Sequence, residues 1–301
     1  MINSYINSNK ADTDKNTAYD YFSLLKPRVM SLAIFTAFVG QTLAYQENQQ
    51  HPLLFIISLL CIAMGAGAAG CINMWYEKDI DSIMERTKSR PIPKGKIESD
   101  DALSLGVTLS LISVVLLSLS SNYFAGFLLA SSILFYIFVY TIWLKRKTVY
   151  NIVIGGAAGA LPPLIGWVSV TNEVSMYPIV LFLIIFIWTP PHFWALSLYT
   201  NEDYKKANIP MLPVILGKKK TINSIIKYSY YLFFISLLPY LLNIAGKVYL
   251  FTAVIFGFIF VYLAHALKKY SVKKAKTLFK FSIFYLFSLY LTTLIDKFFS
   301  L

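Results

Sequence analysis

Nine unbroken apolar stretches, each close to the roughly 20 residues a helix needs to cross a hydrocarbon core, restrict what this chain can fold into. They run near 29–46, 52–76, 102–120, 122–144, 149–170, 177–199, 224–243, 247–267 and 279–296. The runs do not alternate with polar residues, which argues against a transmembrane β-barrel. Hydrophobic residues make up 57% of the chain and charged ones 14%, which excludes a soluble globule and a disordered chain. The expected fold is all-α, a polytopic membrane protein built as a bundle of nine transmembrane helices. Residues 1–25 read as a polar cytoplasmic tail and 26–301 as one transmembrane domain. The tail has no apolar signal core, and Asp12, Asp14 and Asp20 are foreign to a transit peptide, so a bacterial plasma membrane is the expected location.

A net charge of +12 raises the question of nucleic acid. In a membrane chain, however, basic loops set orientation. Here 25 of the 27 lysines and arginines fall on one side of the nine-span arrangement, leaving Lys247 and Lys297 on the other. No nucleic-acid partner is expected. The lipid bilayer is the surrounding partner, with the N-terminus and long loops cytoplasmic and the C-terminus outside. Cys61 and Cys71 share one apolar run and form neither a disulfide framework nor a zinc motif.

Small residues cluster at Gly65–Gly70 and Gly155–Ala160, where helices can pack closely or leave room for a large ligand. Pro162-Pro163 and Pro190-Pro191 are expected to kink or break their helices. Asn73, Glu77 and Asp81, at the cytoplasmic end of the second run, are spaced four apart and share one helical face, which Asp79 does not. Three oxygen-bearing side chains in a row suit Mg²⁺. Arg86 and Arg90 follow, and guanidinium suits phosphate oxygens. A salt-bridged surface loop would look similar, but ionisable groups beside a membrane end favour function. A second cluster, Asn201-Glu202-Asp203-Tyr204-Lys205-Lys206, follows the sixth run on the same side. The four-run spacing between the clusters suggests a four-helix pseudo-repeat with facing clusters. Lys145-Arg146-Lys147 lies on that side too. Metal-binding oxygens and phosphate-binding cations (Arg86, Arg90, Lys145, Arg146, Lys206) at the mouth of an apolar bundle fit a lipid diphosphate. Mg²⁺ would make that diphosphate a leaving group. Trp75, Tyr76, Phe193 and Trp194 could wall a developing allylic cation.

These residues resemble the intramembrane aromatic prenyltransferases, and in particular their haem-modifying branch. The superfamily's N-D-x-x-D-x-x-x-D is met by Asn73, Glu77 and Asp81, with Met74 at the first Asp position, as in the haem branch. Further matches are Lys26-Pro27-Arg28-Val29, Asn73-Met74-Trp75-Tyr76, Arg86-Thr87 with Arg90-Pro91, and Asn151–Gly156. Pro190–Leu196, and Asp203-Tyr204 through Ile209–Pro213, complete the set. The second motif, D-x-x-x-D, is partly met, with Tyr199 first and Asp203 last. The family's Y-x-x-x-K is off by one, because Tyr140 and Lys145 are five apart. The resemblance implies a single prenyltransferase domain and a metal set of Asn73, Glu77, Asp81 and Asp203. It implies farnesyl transfer from farnesyl diphosphate to a vinyl group of protohaem IX, then water addition to give haem O. Haem is then a substrate, Mg²⁺ the cofactor, and a haem A synthase a downstream partner.

His192 follows the Pro pair and is flanked by Phe193 and Trp194. It could hold haem iron or act on the quenching water; His51 and His265 read as packed polar groups. Two alternatives stand beside this reading: a prenyltransferase for a quinone precursor such as 4-hydroxybenzoate, and a non-enzymatic haem carrier or transporter. The Pro190–Leu196 segment argues against the first, and the acidic residues at the mouth argue against the second.

Overall fold

A computed structural model describes residues 17–45 and 50–299. In chain order the helices are α1 (Ala18–Leu24), α2 (Pro27–Tyr45), α3 (Pro52–Tyr76), α4 (Lys78–Ile83), α5 (Ser99–Ser120) and α6 (Tyr123–Leu134). A π-helical segment, Phe135–Leu144, continues α6 without a break. Then come α7 (Asn151–Ala160), α8 (Pro162–Thr171), α9 (Met176–Tyr199), α10 (Asn201–Lys206), α11 (Leu212–Ile215), α12 (Gly217–Ile235), α13 (Leu238–Leu241), α14 (Lys247–Ala266) and α15 (Val272–Phe299). The described residues contain no strand.

Among the described residues, seven helical stretches are long and apolar enough to cross a membrane, or eight if the bent pair α1–α2 is one span. The expected count of nine is not reached by that measure. The shortfall is the run at 224–243. Its helix α12 opens with Lys218-Lys219-Lys220 and stops at Ile235, and the chain then turns into α13 around Pro239.

The fold also begins earlier than expected. Of the 1–25 tail, residues 1–16 lie outside the described residues. Residues 18–24 form α1, started by a capping box in which Thr17 and Asp20 satisfy each other's backbone N–H. Leu24 is fully buried against Cys71, Met74, Ile97 and Ala102. Lys26 then turns the chain at φ 52°, a left-handed conformation uncommon for a non-glycine residue.

The two proline pairs behave differently. Pro162 starts α8 and breaks it from α7, as expected of a residue without an N–H. Pro190 and Pro191 lie inside α9, which continues to Tyr199, so the expected break there does not occur. The glycine clusters serve packing. A Cβ on Gly67 would meet the Leu25 side chain at 3.1 Å, and one on Gly156 would meet Thr189 at 3.0 Å. Gly155 lies flush against the Tyr140 ring.

Candidate active site

The site lies at the end of the bundle where α3, the π segment and α9 finish. Glu77 closes α3 and opens α4, yet the four-residue register survives. Glu77 N–H donates to Asn73 O at 3.0 Å, and Asp81 N–H to Glu77 O at 2.8 Å. Asn73, Glu77 and Asp81 are all buried, at 3%, 2% and 2% exposure, whereas Asp79 points outward.

Each of the three buried side chains meets a cation from a different segment. Lys26 Nζ donates to Asn73 Oδ1 at 2.7 Å. Lys145 Nζ donates to Glu77 Oε2 at 2.5 Å, and Arg90 donates to Asp81 Oδ2 at 2.5 Å. Burial works against the Lys145 ammonium, but the charge and hydrogen bond of Glu77 outweigh it and hold its pKa above the ordinary lysine value. Asn73 also donates to Thr141 Oγ1 at 3.1 Å, and Thr141 Oγ1 donates in turn to Tyr136 O at 2.9 Å.

The π segment explains Lys145. Lys145 N–H bonds Tyr140 O, five residues back, so residues five apart stack on one face. Lys145 Nζ lies 5.8 Å from the centroid of the Tyr140 ring. The spacing that departs from Y-x-x-x-K by one residue is therefore absorbed by the wider helix.

Other expected site residues lie elsewhere. Arg146 grips Asp79 through two hydrogen bonds of 2.9 Å and covers the Tyr76 ring at 5.2 Å, so it is engaged at the surface and not turned to the buried row. That hydrogen bond holds the Asp79 carboxyl below its usual range. Trp75 leans on Tyr76 and packs on the main core. Trp194, two residues from His192 and hence on another helix face, packs edge-on to Tyr228 of α12. Arg86 and Lys206 are exposed, on the facing α4 and α10 sides. Asp203 is half-buried in the first turn of α10. The α4 and α10 sides meet through apolar contacts, with Ile80 and Met84 against Tyr204, Ile209 and Met211 and with Phe193 beside them.

His192 is held on three sides. Trp188 stacks on one ring face at 4.2 Å and Phe279 on the other at 4.6 Å, with Phe193 at its edge. Its Nδ1 lies 2.6 Å from Ser282 Oγ. The single Ser282 hydroxyl proton goes to Phe279 O at 2.6 Å, so His192 Nδ1–H is the donor in the pair. Nε2 is left as the basic nitrogen, with no partner among the described residues. Because both faces are covered, only the Nε2 edge is open to a ligand. His51 caps α3, and His265 pairs with Tyr230 at 3.0 Å.

Among the described residues no three His, Cys, Asp or Glu side chains gather around one point. A divalent cation still fits the row. Asn73, Glu77 and Asp81 are hard oxygen donors, and the buried Glu77 Oε1 has no aligned hydrogen-bond donor, although Lys145 lies beside it.

Lys26, Thr141, Trp188, Phe279 and Ser282 belong to this neighbourhood although the sequence reading does not place them there. Lys26 carries a signal, as a lysine directly ahead of Pro27 and an apolar run. Ser282 and Phe279 carry none, since Ser282 reaches His192 across 90 residues of chain.

A helical membrane bundle that buries oxygen donors and cations at one end is the architecture of an intramembrane group-transfer enzyme. Residues 33–289 match the UbiA prenyltransferase family, and the chain belongs to that family. It is 49% identical over 288 residues to the protoheme IX farnesyltransferase of Rickettsia bellii, covering 95% of each chain. To the Rickettsia rickettsii enzyme of that name it is 50% identical, covering 95% of this chain and 94% of the other. In fold it is similar to digeranylgeranylglyceryl phosphate synthase, with a TM-score of 0.76 and 23% identity over 92% of this chain and 97% of that one. A UbiA homologue from Archaeoglobus fulgidus bound to DMAPP and Mg²⁺ matches with a TM-score of 0.67 and 15% identity over 90% and 99%.

Proposed function

We propose that this chain transfers a farnesyl group from farnesyl diphosphate to a vinyl group of protohaem IX, giving haem O. Half-identity over nearly the whole of both chains to enzymes named for this reaction carries the reading. The buried row supplies the chemistry. Asn73, Glu77 and Asp81 would hold Mg²⁺, with Asp203 added from the facing side. When bound, Mg²⁺ neutralises the diphosphate and makes it a better leaving group.

The protein's own groups then act as follows. Lys26, Lys145 and Arg90 neutralise the row while it is empty and turn to phosphate oxygens as the substrate arrives. Arg86 and Lys206, at the rim, meet the diphosphate first. The apolar interior keeps water from the allylic cation until the vinyl group attacks it. The new carbon–carbon bond forms at the terminal vinyl carbon and leaves positive charge on the carbon beside the ring. Water adds there, and His192 Nε2 accepts its proton, with Ser282 fixing the tautomer. The site faces the cytoplasm of a bacterium, and a haem A synthase consumes the product.

Mass spectrometry of haem extracted from membranes expressing the chain tests the reading. A hydroxyethylfarnesyl haem should appear. Unaltered protohaem alone, in membranes where the protein is folded and farnesyl diphosphate is supplied, contradicts it.

A further inference from the structure

We propose that a groove between α2 and α15 seats the acceptor porphyrin, with a propionate of the porphyrin on Lys280. The inference rests on the farnesyl-transfer reading. The groove, about 480 Å³, is lined by Ser31, Leu32, Phe35, Lys280, Ile283 and Phe284, with Phe287 at its end. Lys280 is the one ionisable residue in that lining. It lies on the first turns of α15, at the end of the bundle that carries the site. That end is fixed by Tyr270, just ahead of α15, whose hydroxyl donates to Leu198 O near the end of α9.

Three observations fit a flat, apolar dianion. The lining is aromatic: the Phe35 and Phe287 rings, one from each helix, pack on each other at 4.7 Å and close one end of the groove, with Phe284 beside them. Ile283, Phe284 and Phe287 are 39%, 50% and 40% exposed, so the slot opens on the surface that faces lipid, where a porphyrin partitions. The charge is unopposed by the two helices that line the groove, since α2 has no Asp or Glu and α15 has none before Asp296. Lys276, one turn before Lys280 and lying 5.6 Å from the Tyr199 ring, offers the second propionate a partner at the mouth.

Register ties the groove to the reaction. Lys280 and Ile283 are immediate neighbours of Phe279 and Ser282, the residues that hold His192. One turn of α15 thus presents the groove on one face and the His192 support on the next. An isoprenoid tail needs no cation in this slot, since its diphosphate is met by the row at Asn73–Asp81.

The test is steady-state kinetics of the detergent-solubilised full chain, with protohaem or its dimethyl ester as acceptor. Exposed Lys280→Gln and Ile283→Trp are compared with wild type. Wild type should show a KM for the ester roughly three- to fivefold above that for protohaem, the size of a partly exposed ion pair. Lys280→Gln should raise the protohaem KM by a similar factor and lose the distinction between acid and ester. Ile283→Trp, which fills the slot, should raise both acceptor KM values. The KM for farnesyl diphosphate should not move in either variant. A raised farnesyl diphosphate KM with unchanged acceptor KM would assign the groove to the isoprenoid and overturn the proposal. Unchanged KM values for both substrates would leave it a lipid-filled seam, which also overturns it. If wild type forms no farnesylated haem, the reaction reading fails. The groove is then judged by Soret titration with protohaem, where equal affinity of wild type and Lys280→Gln rejects it.

Discussion

Asp81 and Asp79 sit two residues apart and carry the same charge, but the fold gives them opposite settings. Asp81 is buried against Arg90, and Asp79 is exposed against Arg146. Asp81→Asn keeps the size and removes the charge that a divalent cation requires, so kcat/KM should fall by about a hundredfold or more. Asp79→Asn should change it by less than about threefold, since it loses only a surface pair. Equal losses in a farnesyl transfer assay would show the face assignment to be wrong. The Asp79 pair also has a pH signature. The folded-state pKa is lowered, so its contribution is present above the unfolded value and is lost as pH falls through the folded one. The pair is more than a third exposed, so thermal melts of wild type and Asp79→Asn should differ by under about 1 kcal/mol near neutrality. That gap should close in acid. Lys26→Met keeps the aliphatic stem against Gly70 and removes the ammonium. It should lower kcat/KM for farnesyl diphosphate about ten- to hundredfold, the ~1.5–3 kcal/mol of a charged hydrogen bond. Wild-type kinetics in that variant would reduce Lys26 to a packing residue. Residue types at this site are legible where spacing and helical register agree, as for Asn73, Glu77 and Asp81. Arg146 and Trp194 depart from expectation because sequence gives a residue's chemistry and not the competing partner, here Asp79 and Tyr228, that the fold brings to it.

At the level of elements, the main departure from expectation is helix type. Apolar periodicity cannot distinguish a π segment from an α-helix, so Tyr140 and Lys145 look out of phase with each other in the sequence. The i→i+5 bond from Lys145 N–H to Tyr140 O brings them to one face. The expectation of a break at Pro190-Pro191 fails for a related reason. A proline removes one helix hydrogen bond, but α9 is tightly packed, with Trp188, Thr189, His192 and Trp194 all buried, and the helix continues through the pair. Glycine, by contrast, acts where two elements cross. A Cβ on Gly40 would come within 2.9 Å of backbone atoms of Pro163, which cannot rotate away as a side chain can. Gly40→Ala should therefore separate α2 from α8 and destabilise the protein by about 1–3 kcal/mol. Gly159, where an added Cβ would meet nothing within 4 Å, is the control, and Gly159→Ala should stay within about 0.5 kcal/mol of wild type. Thermal unfolding in detergent measures both. A Gly40→Ala variant as stable as wild type would mean that this crossing tolerates a wider spacing.

The whole molecule poses the question of how many times the chain crosses the bilayer, and contacts at the two ends of the bundle bear on it. Lys218, at the start of α12, lies 4.8 Å from the Tyr270 ring, and Tyr270 bonds the carbonyl of Leu198 at the site end of α9. At the start of α14, the N–H groups of Val248 and Tyr249 donate to Asp296, near the far end of α15. Between Gly217 and Lys247 the chain therefore passes from one end of the bundle to the other. It does so through α12 and α13, which are not among the stretches long and apolar enough to cross a membrane. Charge leads to the same conclusion. If this segment did not cross, the six lysines of 268–280 would lie outside the cell, against the distribution of every other basic loop. The expected topology is then nine crossings, with the acidic residues of the site and the lysines of α15 on the cytoplasmic side. Reporter fusions after Ser99, Glu173 and Asn243 test it. Ser99 should report cytoplasm, and Glu173 and Asn243 the outside. A cytoplasmic signal at Asn243 with the other two as expected would remove the α12 crossing and place Lys280 on the opposite side of the membrane from Glu77. An inverted signal at Ser99 would put the buried row itself outside, away from any cytoplasmic supply of a diphosphate.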